Sequence, residues 1–305
     1  MNKNKLGNSG IEVSQLTLGC MSLGTDFKEA KNIIDFALDQ GINHLDTADL
    51  YDFGINEEIV GKAINGKRKE IVLTSKVGNH FNKQTGDWFW DPSKEHIVQG
   101  VKESLQRLNT DYIDFYMLHG GTIDDPIDET IEAFELLKQE GTIRAYGISS
   151  IRPNVIREYV GRSSIDGVMM QYNLFDRRPE EKILDFLYEH SISVLARGPL
   201  AKGMLSNHAN QQIEKKGKDG YLGYSREALL QISEQLNEWN PTTNRNELSL
   251  KYVLKHPAVA SAVFGASSVN QLKETIDGDF HSELPDEIYS ALQHLSRPIT
   301  YQTHR

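Results

Sequence analysis

Cysteine is almost missing from this chain, since Cys20 is the single one among 305 residues. One thiol cannot form an intramolecular disulfide, and no group of cysteines is available to bind a structural zinc ion. This usage is typical of a reducing compartment. Cys20 is also too isolated to indicate a nucleophile, so we expect it to pack in the core.

Long apolar segments are missing as well. No run of about 18 apolar residues occurs, which disfavours a membrane-spanning helix, and residues 1–7 lack the apolar region of a signal peptide. We therefore expect a cytoplasmic protein with no membrane partner.

Positive charge is scarce: 33 Lys and Arg stand against 43 Asp and Glu, a formal net charge of −10. This balance disfavours nucleic acid as a partner. Helix N-termini and a few local basic side chains can still bind phosphate, so cofactor phosphates are not excluded.

With 38% hydrophobic and 25% charged residues, the composition is that of an ordinary globular protein. Without a repeat, linker or low-complexity segment, residues 1–305 are expected to form a single domain.

Short β-like runs alternate along the chain with amphipathic stretches of helical period, which is typical of βα units on a parallel sheet. Eight such units predict a closed (β/α)8 TIM barrel. The strands are expected at 16–18, 43–45, 71–75, 112–118, 145–149, 167–171, 193–196 and 260–264. The helices are expected at 28–40, 57–65, 93–108, 127–139, 153–160, 179–189, 246–255 and 268–276.

Three segments lie outside this alternation. Residues 5–13 contain an Asn-Ser-Gly turn between strand-like flanks, which predicts an N-terminal β-hairpin under the barrel. Two long loops are expected at the C-terminal face. One, 78–91, is rich in aromatic residues, and the other, 200–224, is rich in Gly, Asn and Lys and could form a lid or lack order.

Polar residues follow three of the predicted strands: Asp46 and Tyr51 after the second, Lys76 after the third and His119 after the fourth. In a barrel of parallel strands these positions converge at one mouth. A carboxylate, a phenol, an ammonium and an imidazole placed together form a proton-donating site.

The segment 41–51, with Lys76 and the strand before His119, resembles the aldo-keto reductase superfamily. The similarity spans nearly the whole chain, and further matching segments are 16–21, 104–114, 141–150, 198–203, 263–268 and 271–274. The resemblance implies an oxidoreductase that reduces small aldehydes or ketones to alcohols without a metal ion.

The resemblance also implies a role for each of the four polar residues. Carbonyl reduction leaves negative charge on the carbonyl oxygen, so the site must supply a proton and hold that oxygen. Tyr51 is the implied proton donor, and Lys76, anchored by Asp46, would favour ionisation of a phenol whose pKa is ordinarily near 10. His119 would orient the substrate carbonyl.

None of these side chains can supply a hydride, so a nicotinamide cofactor is implied. The chain lacks the Gly-x-Gly-x-x-Gly fingerprint of a Rossmann domain, whereas this superfamily binds its dinucleotide extended across the barrel mouth. NADPH is the first choice on family grounds. NADH stays open, because Ser267 and Ser268 stand in a stretch where many relatives carry Arg or Lys.

By position, the cofactor-binding residues fall into four groups along the chain. They are Gly19, Cys20, Met21 and Asp46; Ser149, Ser150 and Gln171, matching contacts to the carboxamide; Arg197, Gly198, Pro199, Leu200, Lys202 and Gly203, matching the pyrophosphate loop; and Gly265, Ser267, Gln271 and Glu274, matching the adenosine end. Arg197 could stack on the nicotinamide or bind a phosphate or an acidic neighbour. Lys202 could bind the pyrophosphate or remain a solvated loop charge.

Trp88 and Trp90 are the substrate-side candidates, together with Tyr51 and His119. Their rings could contact the apolar part of an aldehyde or pack the loop onto the barrel.

The sequence is compatible with two other functions. One is a non-catalytic dinucleotide-binding subunit, as in potassium-channel β subunits, and the other is an unrelated barrel enzyme that uses Lys76 as a Schiff-base nucleophile. The sequence leaves the oligomeric state and the natural substrate open.

Overall fold

The structure is a computed structural model that describes residues 1–239 and 244–305. Its strands in these ranges are β1 (Lys3–Lys5), β2 (Glu12–Ser14), β3 (Leu16–Gly19), β4 (His44–Asp46), β5 (Val72–Val77), β6 (Asn79–Phe81), β7 (Trp88–Trp90), β8 (Ile113–Leu118), β9 (Ile143–Ser149), β10 (Gly167–Gln171), β11 (Ser193–Arg197) and β12 (Val259–Gly265). The α-helices are α1 (Phe27–Asp39), α2 (Ile55–Ala63), α3 (Lys94–Leu108), α4 (Ile127–Gln139), α5 (Pro153–Arg162), α6 (Ile183–Glu189), α7 (Ala209–Lys216), α8 (Arg226–Trp239), α9 (Arg245–Leu254), α10 (Val269–Ile276) and α11 (Asp286–Leu295).

Eight parallel strands close into a barrel in the order β3, β4, β5, β8, β9, β10, β11, β12. Every residue of β5 and β8 is buried, because barrel strands are covered by side chains within and by helices outside. The predicted (β/α)8 TIM barrel is confirmed.

An N-terminal hairpin, β1 paired antiparallel with β2, closes the bottom of the barrel. Leu6 and Val13 of this segment are fully buried and pack with Phe115, Met117 and Leu195 of the barrel interior. The hairpin was therefore predicted correctly.

Several elements differ from the prediction. The first long loop forms an antiparallel hairpin, β6 with β7, which we call the mouth hairpin. The second contains α7, whose Ala209 and Ile213 are buried, and α8 and α11 were not predicted. The helix expected over 179–189 begins only at Ile183, because Arg178–Glu181 form a 3-10 turn and Lys182, at φ −161° and ψ −24°, is not helical.

Helix α3 shows how local signals fix these boundaries. The Ser93 side chain accepts a hydrogen bond from the His96 backbone N–H, which caps the first turn. Asn109 ends the helix in the left-handed conformation, at φ +49°. The buried stripe of α3 includes Ile97, Val101 and Leu108, and Arg107 beside it contacts Glu57 of α2.

Among the described residues, no helix combines the length and the apolar character needed to cross a membrane.

Candidate active site

The candidate residues lie at or near the C-terminal ends of neighbouring barrel strands. Gly19 pairs in register with both Gly265 and Asp46, and Gln171 pairs with Arg197. The predicted cofactor and catalytic positions therefore form one continuous arc around the mouth.

Lys76 is the most deeply buried charge of this arc, with a side chain that is 1% exposed. Its Nζ lies 2.7 Å from Asp46 Oδ1, donates to the Thr47 carbonyl at 2.7 Å and lies 3.3 Å from Tyr51 Oη. Burial lowers the pKa of Lys76, but Asp46 and Tyr51 outweigh burial and raise it above its usual value. Lys76 is therefore an ammonium that faces the phenol.

A tight left-handed turn places Tyr51 against Lys76. The three residues that follow, Asp52, Phe53 and Gly54, have φ values of +48°, +51° and +86°, so the chain reverses before α2 begins. Only glycine adopts this conformation freely. A Cβ on Gly54 would also lie 2.7 Å from Arg107 Cδ. The strained backbone conformation of Asp52 and Phe53 therefore directly follows Tyr51 and sets the position of its phenol.

The phenol of Tyr51 keeps its proton at neutral pH. Burial raises the pKa of Tyr51, and Lys76 opposes this shift without cancelling it. The expected influence of Lys76 is present, but the net direction is upward because desolvation penalises the phenolate more strongly. A protonated phenol beside an ammonium can act as an acid.

His119 follows β8, and its backbone N–H donates to the Val77 carbonyl at 2.7 Å. Its ring meets the Tyr51 ring edge-on, with centroids 5.7 Å apart. Burial lowers the pKa of His119 to about 3, and the charges of Lys76 and Arg197 act in the same direction. The imidazole is therefore neutral, with one N–H to donate. Nδ1 is buried and has no hydrogen-bond partner within the described ranges.

A buried ion pair that was not predicted from the sequence lies next to the strand that carries Lys76. The Glu57 carboxylate, fully buried, lies 2.6 Å from Arg107 Nε and accepts a hydrogen bond from Ser75 Oγ, one residue before Lys76. Glu57 and Arg107 each resemble an ordinary surface charge of a helix, and they lie 50 residues apart. No local signal could have identified the pair.

A second buried network holds the Thr47 carbonyl that binds Lys76. Thr47 Oγ1 donates to Asn56 Oδ1 at 2.6 Å, and Asn56 Nδ2 donates to the Cys20 carbonyl at 2.9 Å. Cys20 is buried, and Met21 beside it is exposed. The residue after β3 is thus linked through Asn56 to Thr47, whose carbonyl binds Lys76.

The nicotinamide-side candidates are hydrogen-bonded to one another. Arg197 Nη1 donates to Gln171 Oε1 at 3.3 Å, while Gln171 Nε2 donates to Asp176 Oδ2 at 2.8 Å and Tyr221 Oη at 3.1 Å. Tyr221, from the second long loop, was not predicted. Ser149 is partly buried, and Ser150 is buried with its Oγ accepting from the Arg152 backbone N–H.

The loop after β11 turns sharply at the mouth. The Gly198 carbonyl accepts from Asn173 Nδ2 at 2.9 Å, and the Leu200 carbonyl accepts from the Gly203 N–H at 2.8 Å, with Pro199 between them. Lys202 has a left-handed φ of +58°, and its exposed ammonium lies 5.7 Å from the Tyr221 ring.

The adenosine-side candidates lie at the start of α10. The Ser267 backbone N–H donates to Gln271 Oε1 at 2.8 Å, and Ser268 caps the helix by accepting from the Gln271 N–H. Glu274 Oε2 lies 3.0 Å from Nε2 of His208, which belongs to the second long loop. That loop therefore contacts α10, which carries Gln271 and Glu274.

The two tryptophan candidates differ. Trp90 packs its ring against Gly78 and Gly120, where an added Cβ would lie 2.7 and 3.2 Å away, and its Nε1 donates to Asp125 Oδ1 at 3.0 Å. Trp88 is 57% exposed. Trp90 therefore fastens the mouth hairpin, while Trp88 is free to contact a ligand.

Comparisons with known proteins agree with this geometry. The model of the aldo/keto reductase family matches residues 15–297. The "Uncharacterized oxidoreductase YqkF" of Bacillus subtilis (strain 168) is 54% identical over 306 residues, covering 100% of both chains. The "NADH-specific methylglyoxal reductase" of Escherichia coli (strain K12) is 32% identical, covering 90% of this chain and 93% of that protein.

A solved structure gives the same result. The holo form of aldo-keto reductase AKR11C1 from Bacillus halodurans superposes with a TM-score of 0.94 at 51% identity, covering 100% of this chain and 99% of that chain. These matches span the barrel and the strand ends that carry Asp46, Lys76 and His119. The chain belongs to the aldo/keto reductase family and is an oxidoreductase.

Proposed function

We propose that the protein reduces small aldehydes and ketones to alcohols with NADPH, and that Tyr51 donates the proton. The contact of Tyr51 Oη with the buried Lys76 ammonium at 3.3 Å carries the proposal. A protonated phenol, a neutral imidazole and an ammonium converge there, and together they suit a carbonyl oxygen that gains negative charge.

The donor set of the mouth fits an anionic dinucleotide. Arg197 and Lys202 place two cationic side chains beside the ends of β11 and its loop. The capped N-terminus of α10 supplies backbone N–H groups nearby. Gln171 and Ser149 offer amide and hydroxyl groups for a carboxamide. When bound, the reduced nicotinamide would supply the hydride.

Each of the four candidate residues then has a distinct role in the reaction. His119, neutral because of burial, donates its N–H to the carbonyl oxygen and orients it. Tyr51 transfers the Oη proton to that oxygen as negative charge develops. The resulting phenolate is stabilised by the Lys76 ammonium, which Asp46 and the Thr47 carbonyl hold in place. Solvent restores the proton on Tyr51 after the alcohol leaves.

The environment of Lys76 disfavours the Schiff-base alternative. A nucleophilic lysine must lose its proton, whereas Asp46 and Tyr51 raise the pKa of Lys76 above its usual value despite burial. Borohydride treatment in the presence of a carbonyl substrate should therefore trap no adduct on Lys76.

The test is a reductase assay with both dinucleotides. Purified protein is mixed with NADPH or NADH and with methylglyoxal, short aliphatic, α,β-unsaturated and aromatic aldehydes, and loss of reduced-nicotinamide absorbance is followed. We expect turnover with at least one class and a lower KM for NADPH. Tight cofactor binding, seen as quenching of tryptophan fluorescence, without consumption of any aldehyde would contradict the catalytic proposal and favour a dinucleotide-sensing role.

A further inference from the structure

A second cluster of titratable side chains lies where the mouth hairpin meets the start of α3, and it contains none of the four catalytic candidates. His80 belongs to β6, Asp91 directly follows β7, and His96 lies in the first turn of α3. One potential ligand atom from each residue lies within 4.8 Å of the other two. The mechanism proposed above uses none of them.

The spacing is close to that of a metal site. His80 Nδ1 lies 3.6 Å from Asp91 Oδ2, and the two imidazole rings face each other with centroids 5.0 Å apart. Zinc binds nitrogen and oxygen at about 2.0–2.2 Å, so ligand atoms of a tetrahedral site lie about 3.3 Å apart. Shifts of about 1 Å, with a rotation of the imidazole rings, would bring all three atoms onto one ion.

Donor atoms are available at each residue. Asp91 Oδ1 accepts the Ser93 backbone N–H at 3.2 Å, which leaves Oδ2 toward His80. His96 Nε2 is buried and has no hydrogen-bond partner within the described ranges. His80 is 54% exposed, and its ring stacks against Phe89 with centroids 4.9 Å apart, so a water molecule can reach the fourth position from the solvent side.

We propose that His80, Asp91 and His96 bind one divalent transition-metal ion of the zinc class. Two imidazoles and one carboxylate suit zinc, cobalt or nickel and not magnesium, which prefers oxygen ligands. The ion would fasten both strands of the mouth hairpin to the start of α3. Because the same hairpin carries Trp88 and Trp90, the ion would fix the wall of the substrate side without touching the reacting atoms.

The test measures metal binding and needs no reductase activity, so its outcome is independent of the proposed function. Untagged, chelator-treated full-length protein is titrated with zinc chloride by calorimetry, and with cobalt chloride while visible absorption is recorded. We expect one equivalent of zinc, a tetrahedral cobalt spectrum, and a rise in melting temperature with zinc that magnesium does not produce.

Variants locate the site. His80→Ala removes an exposed side chain, so it should fold, and it should weaken zinc binding at least about 100-fold and abolish the thermal shift. His96→Gln, which keeps a polar side chain in a half-buried position, should have the same effect. His281→Ala, an exposed histidine elsewhere on the surface, should bind zinc as the parent protein does.

Two results would overturn the proposal. One is the absence of stoichiometric zinc binding to the parent protein. The other is weak binding of several equivalents that His80→Ala and His281→Ala reduce alike, which would show only adventitious binding to surface histidines.

Discussion

The two sides of the barrel mouth are built differently. The proposed catalytic side, formed by the ends of β4, β5 and β8, buries Asp46 and Lys76 and lies next to a further buried ion pair, Glu57 with Arg107. The proposed cofactor side, formed by the ends of β11 and β12 and their loops, carries exposed side chains that pair with one another, such as Glu274 with His208. Core packing therefore holds the side chains of the catalytic side in place, whereas the exposed side chains of the cofactor side are able to rearrange around a ligand.

Substituting one lysine on each side gives the largest expected contrast. Lys76→Met removes the ammonium beside Tyr51, and we expect kcat for aldehyde reduction to fall at least ~1000-fold. Lys202→Met removes an exposed charge and should leave kcat within about 3-fold while weakening the dinucleotide by less than about 10-fold. Steady-state kinetics and fluorescence titration measure both. Equal losses of kcat would contradict the contrast, and circular dichroism checks that each variant folds.

Stability should differ between the sides in the same way. Glu57→Gln removes the buried carboxylate from Arg107 and leaves only the half-exposed Glu103, 3.8 Å away, and breaking a buried pair costs about 3–5 kcal/mol of unfolding free energy. Glu274→Gln breaks a pair whose side chains are 53% and 58% exposed, so its cost should stay within about 1 kcal/mol. Urea unfolding midpoints compare the two variants. A Glu57→Gln variant as stable as Glu274→Gln would show that the buried pair does not support the catalytic side.

Arg197, at the end of β11 on the cofactor side, also influences His119 on the catalytic side. Its guanidinium lowers the pKa of His119, after burial and Lys76, and it donates to Gln171. If it contacts the cofactor, Arg197→Leu should weaken NADPH about 10-fold and change kcat by less than about 3-fold. Arg197→Lys, which keeps the charge and loses the planar group, separates stacking from phosphate binding. Unchanged affinity in both variants would remove Arg197 from the cofactor site.

The smallest expected effect is that of pH on the catalytic side. His119, with its pKa lowered to about 3, is neutral above that value, and Tyr51, with its pKa raised, stays protonated until strongly alkaline pH. We therefore expect kcat for reduction to vary less than about 3-fold from about pH 5 to about pH 9 and to fall only above that range. An inflection near the ordinary pKa of histidine, about 6.5, would show that His119 titrates.

The barrel could be predicted from the sequence because eight short apolar runs alternate with amphipathic stretches of helical period. Asp46, Lys76 and His119, distant in the chain, then lie at one mouth, because the parallel strands of a barrel end at one face. Their catalytic roles stay predictions. The resemblance added the cofactor, which the strand pattern does not indicate.

The remaining features depend on contacts that no local pattern encodes. Glu57 and Arg107 each read as a solvated helix charge, and only the packing of α2 against α3 buries them together. The contact of His208 with Glu274 spans 66 residues and depends on how a long loop folds. The mouth hairpin has strands of three residues each, too short for an alternating pattern to be distinguished from a loop.

The central claim is that Tyr51 supplies the proton, and one pair of variants tests it most directly. Tyr51→Phe and, as the matched control, Tyr188→Phe at an exposed surface tyrosine are assayed with NADPH and the best aldehyde, and NADPH binding is measured in parallel. We predict that Tyr51→Phe reduces kcat at least ~100-fold with dinucleotide affinity within about 3-fold of the parent protein, and that Tyr188→Phe changes neither. A Tyr51→Phe variant that reduces the aldehyde as fast as the parent protein would contradict the account.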